Sequence, residues 1–190
     1  MEEIKLRDAI FRLQTRQFGS VAEKLLESIL IELGAVVKKS KNSSYDREID
    51  GLNDEIKGSV VRKKCPLKLD NGNIIETLLN HETNRFLKFA DAQKTKWDSN
   101  IQQVKPKLFN NLWYMLFFYD CVAIFKINSS QVISDKEISY SPHQHRGNEG
   151  EGQFHVTEEK LQYHLDNYFV KTLTYREVYD KLDDKVISKN

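Results

Sequence analysis

Tyr45-Asp46-Arg47-Glu48-Ile49-Asp50-Gly51-Leu52-Asn53-Asp54-Glu55-Ile56-Lys57 is the stretch on which the reading of this chain turns. Asp50-Gly51 predicts a two-residue hairpin, because a type I′ turn needs positive φ at both central positions. Ile49 then faces Leu52, and counting outward sets Asp46 directly opposite Glu55. The same register sorts the faces. Tyr45, Ile49, Leu52 and Ile56 share one side and can pack into a core. Asp46, Glu48, Asn53, Glu55 and Lys57 share the other. Arg47 and Asp54 fall on the apolar side, where they face each other and are expected to pair.

Upstream, residues 2–16 read as a helix that Phe18-Gly19 breaks. Ser20-Val21-Ala22-Glu23 fits a capping box that opens a second helix, with an apolar stripe from Val21 through Ala22, Leu25, Leu26, Ile29 and Leu30 to Leu33. Gly34 is a good helix stop. Val36-Val37 begins a short strand, and Lys38 to Ser44 is a basic loop. Downstream, 62–74 is polar and turn-rich, Ile74 to Leu79 suits a short helix, and Ile101 to Val104 a short strand. Leu112 to Tyr119 is a continuous apolar run of the kind a buried strand shows, and Val122 to Ile127 follows as its neighbour. Residues 139–153 form a Gly- and His-containing loop, with a strand at Phe154 to Val156. Helices are expected at 158–166 and 175–183, the last with a capping box from Thr174 and Glu177. The sum is an α/β fold, a central mixed sheet flanked by helices.

The bulk numbers fit one globular domain over residues 1–190: hydrophobic residues are 39% and charged residues 30%. With 29 basic against 28 acidic residues the net charge is +1, which excludes a uniformly basic nucleic-acid coat but not a local basic face. Cys65 and Cys121 are too few for a disulfide framework and show no metal-ligand spacing, so free thiols in a reducing cytoplasm are expected. The start, MEEIKLRDAIF, lacks the basic flank and apolar stretch of a secretory signal. Leu112 to Ile127 is split by Asp120, so no membrane span is expected.

The polar face of the hairpin carries the chemistry. Two facing carboxylates repel unless a cation lies between them, and magnesium with its oxygen ligands does that. Such an ion can bind a phosphate oxygen and activate water, while an ammonium two residues along offsets charge on phosphorus. Asp46, Glu55 and Lys57 are thus the candidate catalytic set for phosphodiester hydrolysis. Asp50 competes with Asp46, but Asp-Gly at a turn has a conformational reason of its own. Gln103 could reach the centre from a neighbouring strand.

On these residues the chain resembles the PD-(D/E)xK nuclease superfamily, and type II restriction endonucleases within it. The resemblance covers roughly residues 19–60, with a looser likeness at Ile101-Gln-Gln-Val104. It implies Asp46 at the start of the hairpin, Glu55-Ile56-Lys57 on its second strand, and Glu23 on the preceding helix as a third metal ligand. Tyr45 stands where the family's pattern has proline. Capping alone would also explain Glu23. The activity implied is magnesium-dependent endonuclease cleavage of double-stranded DNA, by a homodimer with no small-molecule cofactor. A repair nickase or junction resolvase with the same core, or a non-catalytic DNA-binding module, are the alternatives.

DNA contacts are sought in two places. In the loop within 139–153, Gln144, Arg146 and Asn148 are side chains suited to base edges, and His143 and His145 flank them. Two histidines without a cysteine partner are weak grounds for zinc. Lys38, Lys39, Lys63 and Lys64 suit phosphates, as does Ser59, which follows Lys57 at period two. Residues 139–190 would then serve as a DNA-recognition and C-terminal helical part.

Overall fold

A computed structural model describes residues 1–64, 70–81, 85–143 and 148–187. It is a mixed α/β fold. Its central sheet has six strands in the order β1 (Val37–Lys39), β2 (Arg47–Ile49), β3 (Leu52–Val60), β6 (Asn111–Phe117), β7 (Cys121–Asn128) and β10 (Phe169–Thr174). β3 and β6 run parallel, and the other neighbouring pairs are antiparallel. Helices α1 (Glu2–Arg12), α2 (Thr15–Glu32) and α6 (Tyr175–Ile187) cover one face. The other face packs on a second sheet of four strands, ordered β4 (Arg62–Lys63), β5 (Trp97–Val104), β9 (Gly152–Thr157) and β8 (Ser141–Pro142), and on α5 (Glu158–Asn167). The remaining helices are α3 (Ile74–His81) and α4 (Ser129–Ser134). No described helix is long and apolar enough to cross a membrane.

The apolar run after Leu112 is a strand because it is buried on both faces. Trp113, Met115 and Phe117 pack toward the helices, while Leu112, Tyr114 and Leu116 pack toward the second sheet. β7 divides the same way, with Val122 and Ile124 on the helical side and Ala123, Phe125 and Ile127 on the other. This double core holds β3 in a fixed register against β6, with Glu55 beside Leu112 and Lys57 beside Tyr114.

Helix α2 begins earlier than its capping signals imply. The chain breaks at Leu13 and Gln14, and the helix runs from Thr15 straight through Phe18 and Gly19. An interior glycine costs a helix roughly 1 kcal/mol, and burial of Phe18, Ala22, Leu25 and Leu26 outweighs it. Ser20 is therefore an interior residue whose hydroxyl bonds back to the Arg16 carbonyl (3.4 Å), and the capping-box reading of Ser20 and Glu23 fails. The helix ends as expected. Gly34 takes φ 89°, Ala35 N–H bonds to Leu30 O (3.0 Å) and Gly34 N–H to Ile31 O (3.1 Å), which is a Schellman motif.

The hairpin has the expected turn, with φ 51° at Asp50 and 84° at Gly51, and pairs Ile49 with Leu52 and Arg47 with Asp54. Several expectations fail beyond that: Leu52 lies exposed beside the turn rather than in the core, and the ladder ends at Arg47 and Asp54, short of the expected pairing of Asp46 with Glu55. Arg47 and Asp54 are neighbours in register but do not pair: Arg47 reaches Glu27 (3.1 Å) on α2, while Asp54 accepts hydrogen bonds from Trp113 and Asn111. Tyr45 does not pack beside Ile49 and Ile56 either. Asp46 N–H bonds to Asp54 O (3.2 Å) although Arg47 is already the ladder partner of Asp54. One residue goes unpaired there, the alternation flips, and Tyr45 enters the core on the opposite face.

Candidate active site

A cleft of about 1060 Å³ opens beside the end of the hairpin ladder. Glu23, Phe18, Gly19 and Arg16 of α2 form one side; Lys57, Ser59 and their neighbours on β3 form the floor, with Arg62 beyond; Asn100, Gln102 and Gln103 of β5 and Asn148 form the other side. A second cavity, about 510 Å³ beside α3, is lined by Asn71, Asn73, Ile74, Ile75 and Leu79, with Glu76 as its titratable group. Of these two, the first meets the hairpin's charged face, through Lys57.

Gly58 sets how closely α2 approaches this floor. A Cβ there would lie 2.8 Å from Ala22 Cβ and 3.2 Å from a Phe18 ring carbon, so the helix can lie against the strand only where β3 has no side chain. That contact carries Glu23 to the edge of β3. Ser99 Oγ donates to Ser59 Oγ (2.7 Å) and ties β5 to the floor from the other side.

Glu23 and Lys57 line the cleft, whereas Asp46 and Glu55 do not line it and act on them from beside it. Lys57 Nζ donates to Glu55 Oε1 at 2.5 Å. Asp46 Oδ2 accepts from Ile56 N–H (2.8 Å), which anchors its carboxylate across from β3. Burial drives the Glu55 carboxyl up to about 7; the Lys57 ammonium opposes that rise, and the charges of Asp46 and Glu23 add to it. Burial also raises Glu23, and Asp46 raises it further against Arg47 (3.8 Å) and Lys57. Lys57 is half-buried, and its desolvation by itself would favour loss of its proton, yet Glu55, Asp46 and Glu23 together hold its ammonium above the ordinary lysine range. The three carboxylates meet the Lys57 ammonium and, at Glu23, the Arg47 guanidinium, which Glu27 engages more closely (3.1 Å). Among the described residues no three His, Cys, Asp or Glu side chains form a ready-made metal cage. Magnesium does not need one, since it takes one or two carboxylates and completes its shell with water and phosphate.

Asp50 is occupied elsewhere: its carboxylate accepts from Val36 N–H (2.8 Å) and clasps β1 to the turn. Ser59, Gln103 and Asn148 line the cleft, as sought. Lys38 does not line it and pairs with Glu48 (3.2 Å) across β1 and β2. Lys39 lies exposed on β1, and neither Lys63 nor Lys64 lines the cleft. His143 is exposed, its N–H bonded to Glu151 O (2.9 Å). Gln144, His145, Arg146 and Cys65 lie outside the described residues. Arg16, Asn100, Gln102 and Arg62 are cleft residues that the sequence pattern did not single out. No spacing rule would have found the first three, because the elements that bring them together are far apart in sequence.

No protein-family model and no curated protein sequence matches the chain. Among solved structures, the bacterial homing endonuclease I-Ssp6803I is similar at a TM-score of 0.40 and 12% identity, over 76% of this chain and 78% of that one. A likeness of that extent leaves the functional reading to rest on the cleft.

Proposed function

We propose that this chain is a magnesium-dependent DNA endonuclease of the PD-(D/E)xK type, acting as a sequence-specific type II restriction enzyme. The observation that carries this reading is the electrostatic cluster of Glu23, Asp46, Glu55 and Lys57, which reaches the cleft through Glu23 and Lys57. Asp46 and Glu55 would hold the ion, and Glu23 adds negative charge beside them without forming a three-ligand cage. Bound there, magnesium supplies Lewis-acid activation of water and of the phosphoryl oxygen. Lys57 keeps its proton in the free protein, so its task is to orient the attacking water by hydrogen bonding and to offset charge gathering on the phosphorus. The hydrolysis breaks one P–O ester bond, and water supplies the oxygen to phosphorus and a proton to the departing oxygen. Arg16 and Arg62 at the cleft suit backbone phosphates. In the two-fold homodimer this reading implies, each protomer cuts one strand.

The test is incubation of supercoiled plasmid with the protein in magnesium, in calcium and in chelator. Linear fragments in magnesium alone are expected, with calcium supporting DNA binding but not hydrolysis, because its longer and looser coordination does not align the water. Cleavage that persists in chelator would refute the metal assignment, and intact plasmid in magnesium would refute the nuclease.

A further inference from the structure

The two sides of the cleft differ in chemistry. The cationic side chains Arg16 and Lys57 come from α2 and β3, and Arg62 comes from β4 at the edge of the second sheet. The opposite side, built on the second sheet, offers the neutral amides of Asn100, Gln102, Gln103 and Asn148 to the cleft.

The backbone of β5 is bent to make this so. Ile101 points into the core, so strict alternation would turn Gln102 outward, Gln103 inward and Val104 outward. Instead the pairing with β9 shifts between Ile101 and Val104, and Gln103 takes φ 56°. Ile101 and Val104 are both buried, and the two glutamines between them are both exposed. A non-glycine residue at positive φ costs on the order of 1 kcal/mol. A bulge that turns two consecutive side chains into a cleft is a common device beside functional sites. Behind them, Asn100 Nδ2 donates to Gln153 Oε1 (3.0 Å), which fixes another amide on the same side.

We propose that Gln102 and Gln103 read base edges of the DNA in the cleft and that the sites they select contain A·T pairs. This rests on the nuclease reading above and extends it to specificity. A planar amide offers a donor and an acceptor side by side, the pattern that matches N6 and N7 of adenine in the major groove. Neutral amides displace no counterions, so these residues contribute specificity without salt dependence, while Arg16 and Arg62 supply the reverse.

The experiment is digestion of unmodified phage DNA in magnesium by the wild type, Gln102→Ala and Gln103→Gly, with the ends sequenced. Glycine adopts φ 56° freely, so the second variant removes the side chain without straining the bulge. The wild type is expected to cut at a consensus containing A·T pairs. Each variant should relax that consensus at one or two of them, by roughly tenfold to a hundredfold in relative cleavage. The salt dependence of binding in calcium should not change. An unchanged consensus in both variants overturns the inference and leaves the nuclease standing. So does a uniform loss of rate at all sites, or a wild type that cuts without any consensus. A wild type that cuts nothing removes the nuclease reading and this one together.

Discussion

Asp54 and Glu55 are adjacent on one strand and meet opposite fates. Asp54 points to the helical side, fully buried, and accepts hydrogen bonds from Trp113 Nε1 (2.7 Å) and Asn111 Nδ2 (2.9 Å). Glu55 lies beside the cleft with an ammonium on one oxygen and two further carboxylates acting on it. Burial raises both carboxyl groups. What separates them is the company. Neutral donors of fixed geometry satisfy Asp54 completely, so it holds β3 to β6 and needs nothing more. Glu55 sits among charges that do not cancel, and an unbalanced set beside an open cleft is poised for a cation. A raised carboxyl alone would not tell structure from chemistry; the partners do.

The comparison breaks most sharply through the cleft-edge residues. Asp46→Ala and Lys57→Ala should each lower the cleavage rate by at least about 100-fold, the scale of losing one transition-state electrostatic partner. Circular dichroism and the urea midpoint should show the fold retained. Near-wild-type cleavage by Asp46→Ala would return the cleft edge to the status of a solvated surface.

On the helical side the effects should appear in stability. Asp54→Ala leaves the Trp113 and Asn111 donors buried without acceptors, and should lower unfolding free energy by about 1–3 kcal/mol. Gly58→Ala forces its new methyl against Ala22 and Phe18 and should cost a similar ~1–3 kcal/mol. It should also lower cleavage, because the displaced helix carries Glu23. Stability unchanged in Gly58→Ala would mean that α2 is free to move off the strand.

The smallest expected effect concerns a second interior group, a histidine whose Nε2 is buried without a hydrogen-bond partner among the described residues. His164 is fully buried, its Nδ1 shares a hydrogen bond with Tyr114 OH (2.6 Å), and burial pushes it down to about 4, with Lys160 adding to the fall. Its pKa is lower in the fold than in the unfolded chain, where it is roughly 6.5. The unfolded chain therefore takes up a proton first as pH falls. The contribution of neutral His164 is complete above about 6.5 and is lost between there and about 4. His164→Phe should lose stability at pH 7, since Tyr114 loses its partner, yet show a shallower decline from pH 7 to 5 in urea titrations. Equal slopes would assign the acid sensitivity to other groups.

The sequence was most legible where one local rule had no competitor. Asp50-Gly51 yields the turn and the pairing from Arg47 to Asp54 because no other arrangement satisfies two positive φ angles so readily. The run from Leu112 is legible as a strand through its burial on both faces. Thr174 and Glu177 do cap α6, with Thr174 N–H donating to Glu177 Oε2 (2.7 Å) and Glu177 N–H to Thr174 Oγ1 (3.2 Å). Legibility failed where tertiary packing overrode a local signal. Gly19 and Ser20 imitate a helix start, and burial of Phe18 and Ala22 carries the helix through them. Tyr45 follows the hairpin's period on paper, but the unpaired residue at Asp46 turns it to the other core. β10 begins one residue after α5 ends, with no turn residues to announce it. The candidate site was legible in Asp46, Glu55, Lys57 and Glu23, whereas the amide side of the cleft depends on a bulge that no pattern of residue types specifies.

The most direct test of the account sets the two neighbours against each other through near-isosteric changes. Cleavage of plasmid in magnesium would be timed for wild type, Glu55→Gln and Asp54→Asn at a temperature where all three are folded. The account requires Glu55→Gln to be inactive and Asp54→Asn to cut at close to the wild-type rate. Cleavage by Glu55→Gln, or a dead Asp54→Asn that remains folded, would contradict it.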